Sequence, residues 1–170
     1  MYQNKIFIAL GTNLGNWKNN FNQSFTQLDK LGDINQYSSI FLSKPYGYLE
    51  QNYFYNTAIE LHTTLNPMQL FKKLQMIEKK IHKNKLFPNG PRRIDLDIIF
   101  FNKLLIKNNH LIVPHPRAHL RDFVLCPIEE MNPFFIHPKK KITIRELIKN
   151  LKEKYILKKI FSKRESVLIY

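Results

Sequence analysis

From Phe54 to Thr63 the chain alternates with a period of two: Tyr55, Thr57, Ile59, Leu61 and Thr63 face one way, and Phe54, Asn56, Ala58 and Glu60 the other. A segment of that length and period reads as a long strand with two different faces. The segments around it say what it pairs with. Ile6 to Leu10 is a short apolar run ending at Gly11, read as a buried strand, and Tyr37 to Leu42 reads as a second strand. Between them Trp17, Phe21, Phe25, Leu28 and Leu31 recur at helical spacing up to Gly32, which stops the helix. Asn66-Pro67 opens a second helix, Asn as N-cap and Pro at the first position, continued by Met68, Phe71, Leu74, Ile77 and Ile81. Ile94 to Phe101 is again a strand. The order β-α-β-β-α-β predicts an α+β fold, a ferredoxin-like sandwich with a mainly antiparallel sheet and helices packed on one face.

The remaining segments decorate that frame. Pro88-Asn89-Gly90-Pro91 marks a loop, and Asn102-Lys103 turns the chain into a short return at Leu104 to Ile106. Pro114-His115-Pro116 is a stiff connector. Phe123 to Met131 and Thr143 to Lys152 read as two more helices, the second capped by Thr143 with Glu146 at capping-box spacing. Ile156 to Tyr170 alternates weakly and is expected to add edge strands. No internal repeat or linker divides the 170 residues, so one domain spanning 1–170 is expected.

No apolar run approaches the roughly 18 residues of a spanning helix. The N-terminus lacks a signal-peptide pattern, so a cytoplasmic protein with no membrane contact is expected. Cys126 is the single cysteine, which excludes an internal disulfide, and its apolar setting reads as a small buried hydrophobe. The formal charge of +14 fits either a polyanionic partner or a general drift toward lysine in a chain rich in Lys, Asn and Ile; charge alone does not separate them.

The sharpest chemical feature is Gly90-Pro-Arg-Arg-Ile-Asp-Leu-Asp-Ile-Ile99. Aspartate is depleted in strands, yet Asp95 and Asp97 sit inside an apolar one. At i and i+2 they project from the same face about 7 Å apart. Such a pair suits one or two Mg²⁺ ions, which complete their shell with water and phosphate oxygens. It also suits a solvated face paired with Arg92 and Arg93, and the two aspartates alone leave both readings open.

Further motifs join this one. Gly90-Pro-Arg92 with Ile94-Asp95-Leu-Asp97-Ile98 resembles the G-P-R-x-I/L-D-L-D-I signature of the 6-hydroxymethyl-7,8-dihydropterin pyrophosphokinases. Ala9-Leu-Gly-Thr-Asn-Leu-Gly15 is similar to that family's opening G-S-N-L-G, and Ser39 to Asn56 to its S-x-x-Y-x-T-x-P-x-G…Q-x-x-F-x-N stretch. Val113-Pro-His115, Arg121 and Phe123 follow in family order, so the resemblance covers roughly residues 5 to 135. It implies an enzyme of folate biosynthesis that moves a diphosphate from ATP to the pterin alcohol and releases AMP. On this resemblance Asp95 and Asp97 hold two Mg²⁺ ions, Phe54 and Phe123 sandwich the pterin, and Asn56 bonds its edge. Ser43, Lys44 and Tyr46 complete that pocket. Gln75, Glu78, Ile98, His115 and Arg121 line the nucleotide site, and Arg92, Arg121, Lys83 and Lys85 attend the phosphates. The implied partners are ATP and 6-hydroxymethyl-7,8-dihydropterin, with the chain acting as a monomer.

Departures from the family pattern fall in the loops. Lys83 and Lys85 stand where two arginines are usual, which loses the bidentate fork. Asn89 replaces a tryptophan, Pro116 an aromatic or other side chain, and Lys44 and Tyr46 a proline and a leucine. A single-stranded nucleic-acid binder is the rival of another class. No RNP1-like segment occurs, and an acidic Asp-x-Asp strand repels phosphate unless metal intervenes, so no nucleic-acid partner is expected.

Overall fold

The long alternating segment is the centre of the sheet. In a computed structural model that describes residues 4–82 and 87–161, β4 (Phe54–Thr63) pairs from Tyr55 to Thr63 with β1 (Asn4–Thr12). On its other side it pairs with β2 (Asp33–Tyr37) and β3 (Ile40–Ser43). β5 (Asp95–Phe101) adds to β1 and β8 (Ile156–Phe161) to β3, every pairing antiparallel. A separate small hairpin joins β6 (Ile106–Lys107) to β7 (Ile112–Val113).

The segment expected as one strand at 37–42 is two. Ser38 and Ser39 break it, because short hydroxyl side chains compete with the ladder for backbone groups. The Ser38 hydroxyl accepts the Ala58 N–H at 2.9 Å, while the Ser39 N–H donates to Glu130 at 2.5 Å.

Helix α1 (Trp17–Leu28) starts at Asn16, whose side chain accepts the Asn19 N–H. It ends before Gly32, and that glycine has a second duty: a Cβ there would stand 2.1 Å from the His62 carbonyl oxygen. Helix α2 (Pro67–Ile81) carries the expected Asn66 cap, closed into a capping box by Gln69.

The expectation that helices cover one face holds only for α1 and α2. Ile8, Leu10, Ile59 and Leu96 pack there against Phe21, Phe25, Leu70 and Leu74. The opposite face is covered by α3 (Asp122–Met131) and α4 (Ile144–Lys149), where Phe7, Ala58, Ile99 and Phe100 meet Val124, Leu125, Ile128 and Ile144. The physical reason lies in Ile98 to Phe101: a run without a polar member has no face fit for water, so both sides require cover. The α4 helix is shorter than 143–152, but its Thr143–Glu146 capping box forms as expected. Only β8 is described of the expected tail strands; 162–170 lie outside the described residues. Among the described residues no helix is long and apolar enough to cross a membrane.

Candidate active site

The α3/α4 layer leaves open the end of the sheet where β1, β4 and β5 carry small and polar residues, and the first turn of α3 stands at its side. Register places Asp95 opposite Gly11 and Asp97 opposite Ala9, while Gly11 on its other side faces Asn56. Ala9 and Gly11 therefore make a low floor between a carboxylate shelf and an amide. A Cβ on Gly11 would come within 3.4 Å of Asn56 Oδ1 and 3.9 Å of the Phe54 ring. The resulting cleft holds about 240 Å³. Its walls come from Ser43, Lys44 and Tyr46, from Phe87 to Gly90, and from Arg117, Arg121 and Phe123.

Asn56 is buried and fixed: its Nδ2 donates to Ser43 Oγ at 2.8 Å and to the Phe54 carbonyl at 3.3 Å. The Oδ1 acceptor is left on the side of Gly11. Such a satisfied donor end and oriented acceptor end suit the polar edge of a ligand.

The carboxylates are strained electrostatically. Burial pushes the Asp97 carboxyl up to about 7, helped by the charges of Asp95 and Glu78 and only partly offset by Arg121 and Arg92. Asp95 is paired with Arg92 at 3.1 Å. A cation between the two aspartates would relieve this repulsion. Among the described residues no third acidic, His or Cys side chain converges on them. Two hard oxygen donors with nothing else fit an ion that keeps several waters and takes phosphate oxygens, as Mg²⁺ does.

Positive groups surround that shelf. The Arg121 guanidinium lies 4.2 Å over the Tyr46 ring and 5.7 Å from that of Phe123, and among the described residues its buried Nε has no hydrogen-bond partner. Burial, then Arg117, pulls Arg121 below its ordinary range. Its neighbour Asp122 gives both oxygens to backbone N–H groups, so no local Arg121–Asp122 pair defines this corner. Burial, then Arg121 and Arg117, pushes His115 down to about 4, which keeps the imidazole neutral near pH 7. Arg92 stands 5.0 Å over the Phe54 ring and reaches the Gly90 carbonyl at 3.2 Å.

The cleft thus gathers Ser43, Lys44, Tyr46, Phe54, Asn56, Arg92, Asp95, Asp97, His115, Arg121 and Phe123 out of the residues singled out in the sequence. Three others lie outside its lining. Gln75 is exposed on α2, Glu78 accepts the Leu96 N–H at 2.8 Å on the outer edge of β5, and Ile98 belongs to the α1/α2 core. Lys83 and Lys85 lie outside the described residues. Sequence reasoning missed Ala9, Gly11, Phe87 and Arg117 as lining, and Asn13 as a brace. Asn13 accepts the Arg92 N–H at 2.9 Å and donates to Gln51 at 2.9 Å, while Gln51 donates to the Asn89 carbonyl at 2.8 Å. The signal for Asn13 was its place in Gly-Thr-Asn, a turn-forming triplet at the end of a buried strand.

Fold and cleft together define a ferredoxin-like α+β domain with a paired-carboxylate, arginine-lined site at one end of its sheet. The chain belongs to the 7,8-dihydro-6-hydroxymethylpterin-pyrophosphokinase (HPPK) family, whose model matches residues 7–133. It is 39% identical over 130 residues to the 2-amino-4-hydroxy-6-hydroxymethyldihydropteridine pyrophosphokinase of Bacillus subtilis (strain 168), covering 75% of this chain and 78% of that protein. It is 42% identical over 148 residues to the folic acid synthesis protein FOL1 of Dictyostelium discoideum, 87% of this chain but 22% of that protein. The share is 18% for the related protein of Pneumocystis carinii, so the chain spans about a fifth of these two relatives. Among solved structures, the Plasmodium falciparum HPPK-DHPS A437G chain superposes with a TM-score of 0.71 at 18% identity, over 86% of this chain and 45% of that one. That likeness concerns the fold.

Proposed function

We propose that residues 1–170 act as one pyrophosphokinase unit of folate biosynthesis, transferring diphosphate from ATP to the hydroxymethyl group of 6-hydroxymethyl-7,8-dihydropterin. The observation that carries the reading is the single cleft in which a carboxylate pair, Arg92, Arg121, a buried Asn56 and two phenylalanines meet. In the reaction a bond forms between the pterin hydroxymethyl oxygen and the β-phosphorus. The bond from that phosphorus to the α-phosphate oxygen breaks, AMP leaves, and the alcohol proton passes to solvent.

The protein's task in such a transfer is alignment and charge neutralisation. Phe123 and Phe54 supply flat apolar surface for the pterin, and Asn56 Oδ1 accepts a hydrogen bond from its edge. Ser43, Lys44 and Tyr46 close that pocket. Arg121 and Arg92 offer forked donors to phosphate oxygens, and Lys83 and Lys85 would add point charges. Neutral His115 donates or accepts beside them without adding charge. Gln75 and Glu78, beside the outer edge of β5, would take the base and sugar of ATP, with Ile98 contributing through its backbone because its side chain belongs to the α1/α2 core. Asp95 and Asp97 would hold Mg²⁺, which when bound screens the phosphate charge and polarises the phosphoryl oxygens.

The test is AMP formation from ATP and the hydroxymethyl-dihydropterin, with and without Mg²⁺. Turnover that needs both the pterin and Mg²⁺ supports the reading. ATP cleavage indifferent to the pterin, or no cleavage at millimolar Mg²⁺, would sink it.

A further inference from the structure

Chain beyond the family match returns to the cleft from behind. β8 pairs with β3, Ile156 opposite Ser43, which lays the start of β8 beside the Ser43–Tyr46 wall. The Lys44 N–H donates to the Tyr155 carbonyl at 2.9 Å. The Tyr155 ring stands 5.5 Å from the Tyr46 ring and 5.7 Å, edge-on at 87°, from that of Phe123. Tyr46 and Phe123 line the cleft, whereas Tyr155 does not. Neither hydrophobic core includes Tyr155, and among the described residues its aromatic ring contacts are with these two rings. Its hydroxyl bonds Glu153 on the outer side.

One buried carboxylate fixes the arrangement. Asp122, 4% exposed, accepts the Tyr155 N–H at 2.8 Å and the Ile156 N–H at 2.9 Å through Oδ2, and the Phe123 N–H at 2.8 Å through Oδ1. The same side chain thus anchors the backbone of the cleft-lining phenylalanine and that of the tyrosine behind it.

We infer that Tyr155 is a positioning residue for the ring-binding half of the cleft, holding the planes of Phe123 and Tyr46, with Asp122 as its clamp. This rests on the pterin reading above. A ring at the start of a helix with one bare side samples other rotamers, and ordering it then costs binding energy. A tyrosine packed against that side removes the cost in advance. The effect falls chiefly on the flat ligand: of the groups proposed to meet ATP phosphates only Arg121 rests on Tyr46, whereas Arg92 and Asp95 sit at the β5 edge of the sheet, opposite β8.

The experiment measures dissociation constants of the intact chain for 6-hydroxymethyl-7,8-dihydropterin and, separately, for a non-hydrolysable ATP analogue, with thermal unfolding alongside. Tyr155→Ala should weaken pterin binding about tenfold while the analogue constant stays within about twofold. Tyr155→Phe, which keeps the ring and loses the hydroxyl, should bind pterin as the parent does. Asp122→Asn, which removes one charged acceptor and leaves the ring in place, should shift the pterin constant in the same direction and serves if Tyr155→Ala fails to fold. Pterin binding unchanged in Tyr155→Ala, equal losses for both ligands, or a Phe variant as weak as Ala would each overturn the role. A parent chain that binds no pterin would instead overturn the function itself.

Discussion

Asp95 and Asp97 share one face of β5, and burial and mutual repulsion hold the Asp97 carboxyl up to about 7. The sign of its effect on stability follows. A carboxyl raised in the folded state binds its proton more tightly there, so stability is full below the unfolded value of 3.8 and falls as pH rises toward 7. Asp97→Asn should therefore be more stable than the parent at pH 8 without divalent ions, by ~1–2 kcal/mol in thermal unfolding, and yet lose at least about a hundredfold in activity. Added Mg²⁺ should raise the parent's melting temperature and leave the variant's unmoved; a variant of normal activity refutes the site. His137 gives the opposite slope. Buried at 2% exposure, it accepts the Lys139 and Lys140 N–H groups through Nδ1, and burial, then His119, pushes it down to about 4. The unfolded imidazole titrates near 6.5, so stability is present above that and drains as pH falls toward 4. Denaturant unfolding at pH 7 and pH 4.5 should show this loss, on the order of 1–2 kcal/mol smaller in His137→Gln. Asp95 and Asp97 were legible in the sequence because strand alternation alone puts i and i+2 on one side. Arg117 and Gly11 were not, since their place in the cleft depends on cross-strand register and the docking of α3, which no local pattern encodes.

Among the elements, β4, α2 and the Thr143 cap could be read directly, because period and capping are local. Asn66→Ala should cost about 1 kcal/mol, the ordinary loss of an N-cap, since both halves of its box form. The break at Ser38–Ser39 was hidden, because Ser39 is taken by Glu130 on α3, distant in sequence. Gly32 is the instructive element boundary. It reads as a helix stop, but its backbone passes so close under β4 that a Cβ would meet the His62 carbonyl at 2.1 Å and Thr63 Cβ at 2.9 Å. Neither neighbour is the end of a flexible side chain, so the strand itself must move. Gly32→Ala should lower stability by about 2–3 kcal/mol in denaturant titration, well beyond what helix termination explains. A loss under about 0.5 kcal/mol would mean that the chain relaxes there freely.

At the scale of the molecule, the sheet separates a closed core on the α1/α2 face from a half-covered face on which the cleft opens. The α+β class followed from element order, whereas the second helical layer did not, because the order of elements does not say which face the later helices choose. The same two-sided build bears on the charge of +14. Some of that charge points into the cleft at Lys44, Arg92, Arg117 and Arg121, while Lys149 and Lys152 lie exposed on and after α4, outside its lining. Exposed charges act over about a Debye length, ~10 Å at 0.1 M salt and ~3 Å at 1 M. A polyanionic ligand in a cleft of that sign gains affinity that salt removes, whereas a neutral pterin held by stacking and an amide has no such term. Raising NaCl from about 50 to about 500 mM should therefore weaken ATP-analogue binding at least about fivefold and pterin binding less than about twofold. Arg117→Ala should flatten the ATP dependence, and the double change Lys149→Gln, Lys152→Gln should leave it as it was. Equal salt sensitivity for both ligands, or a flattened dependence in the α4 variant, would mean that the excess charge acts as one diffuse field and that the cleft arginines hold no special share of it.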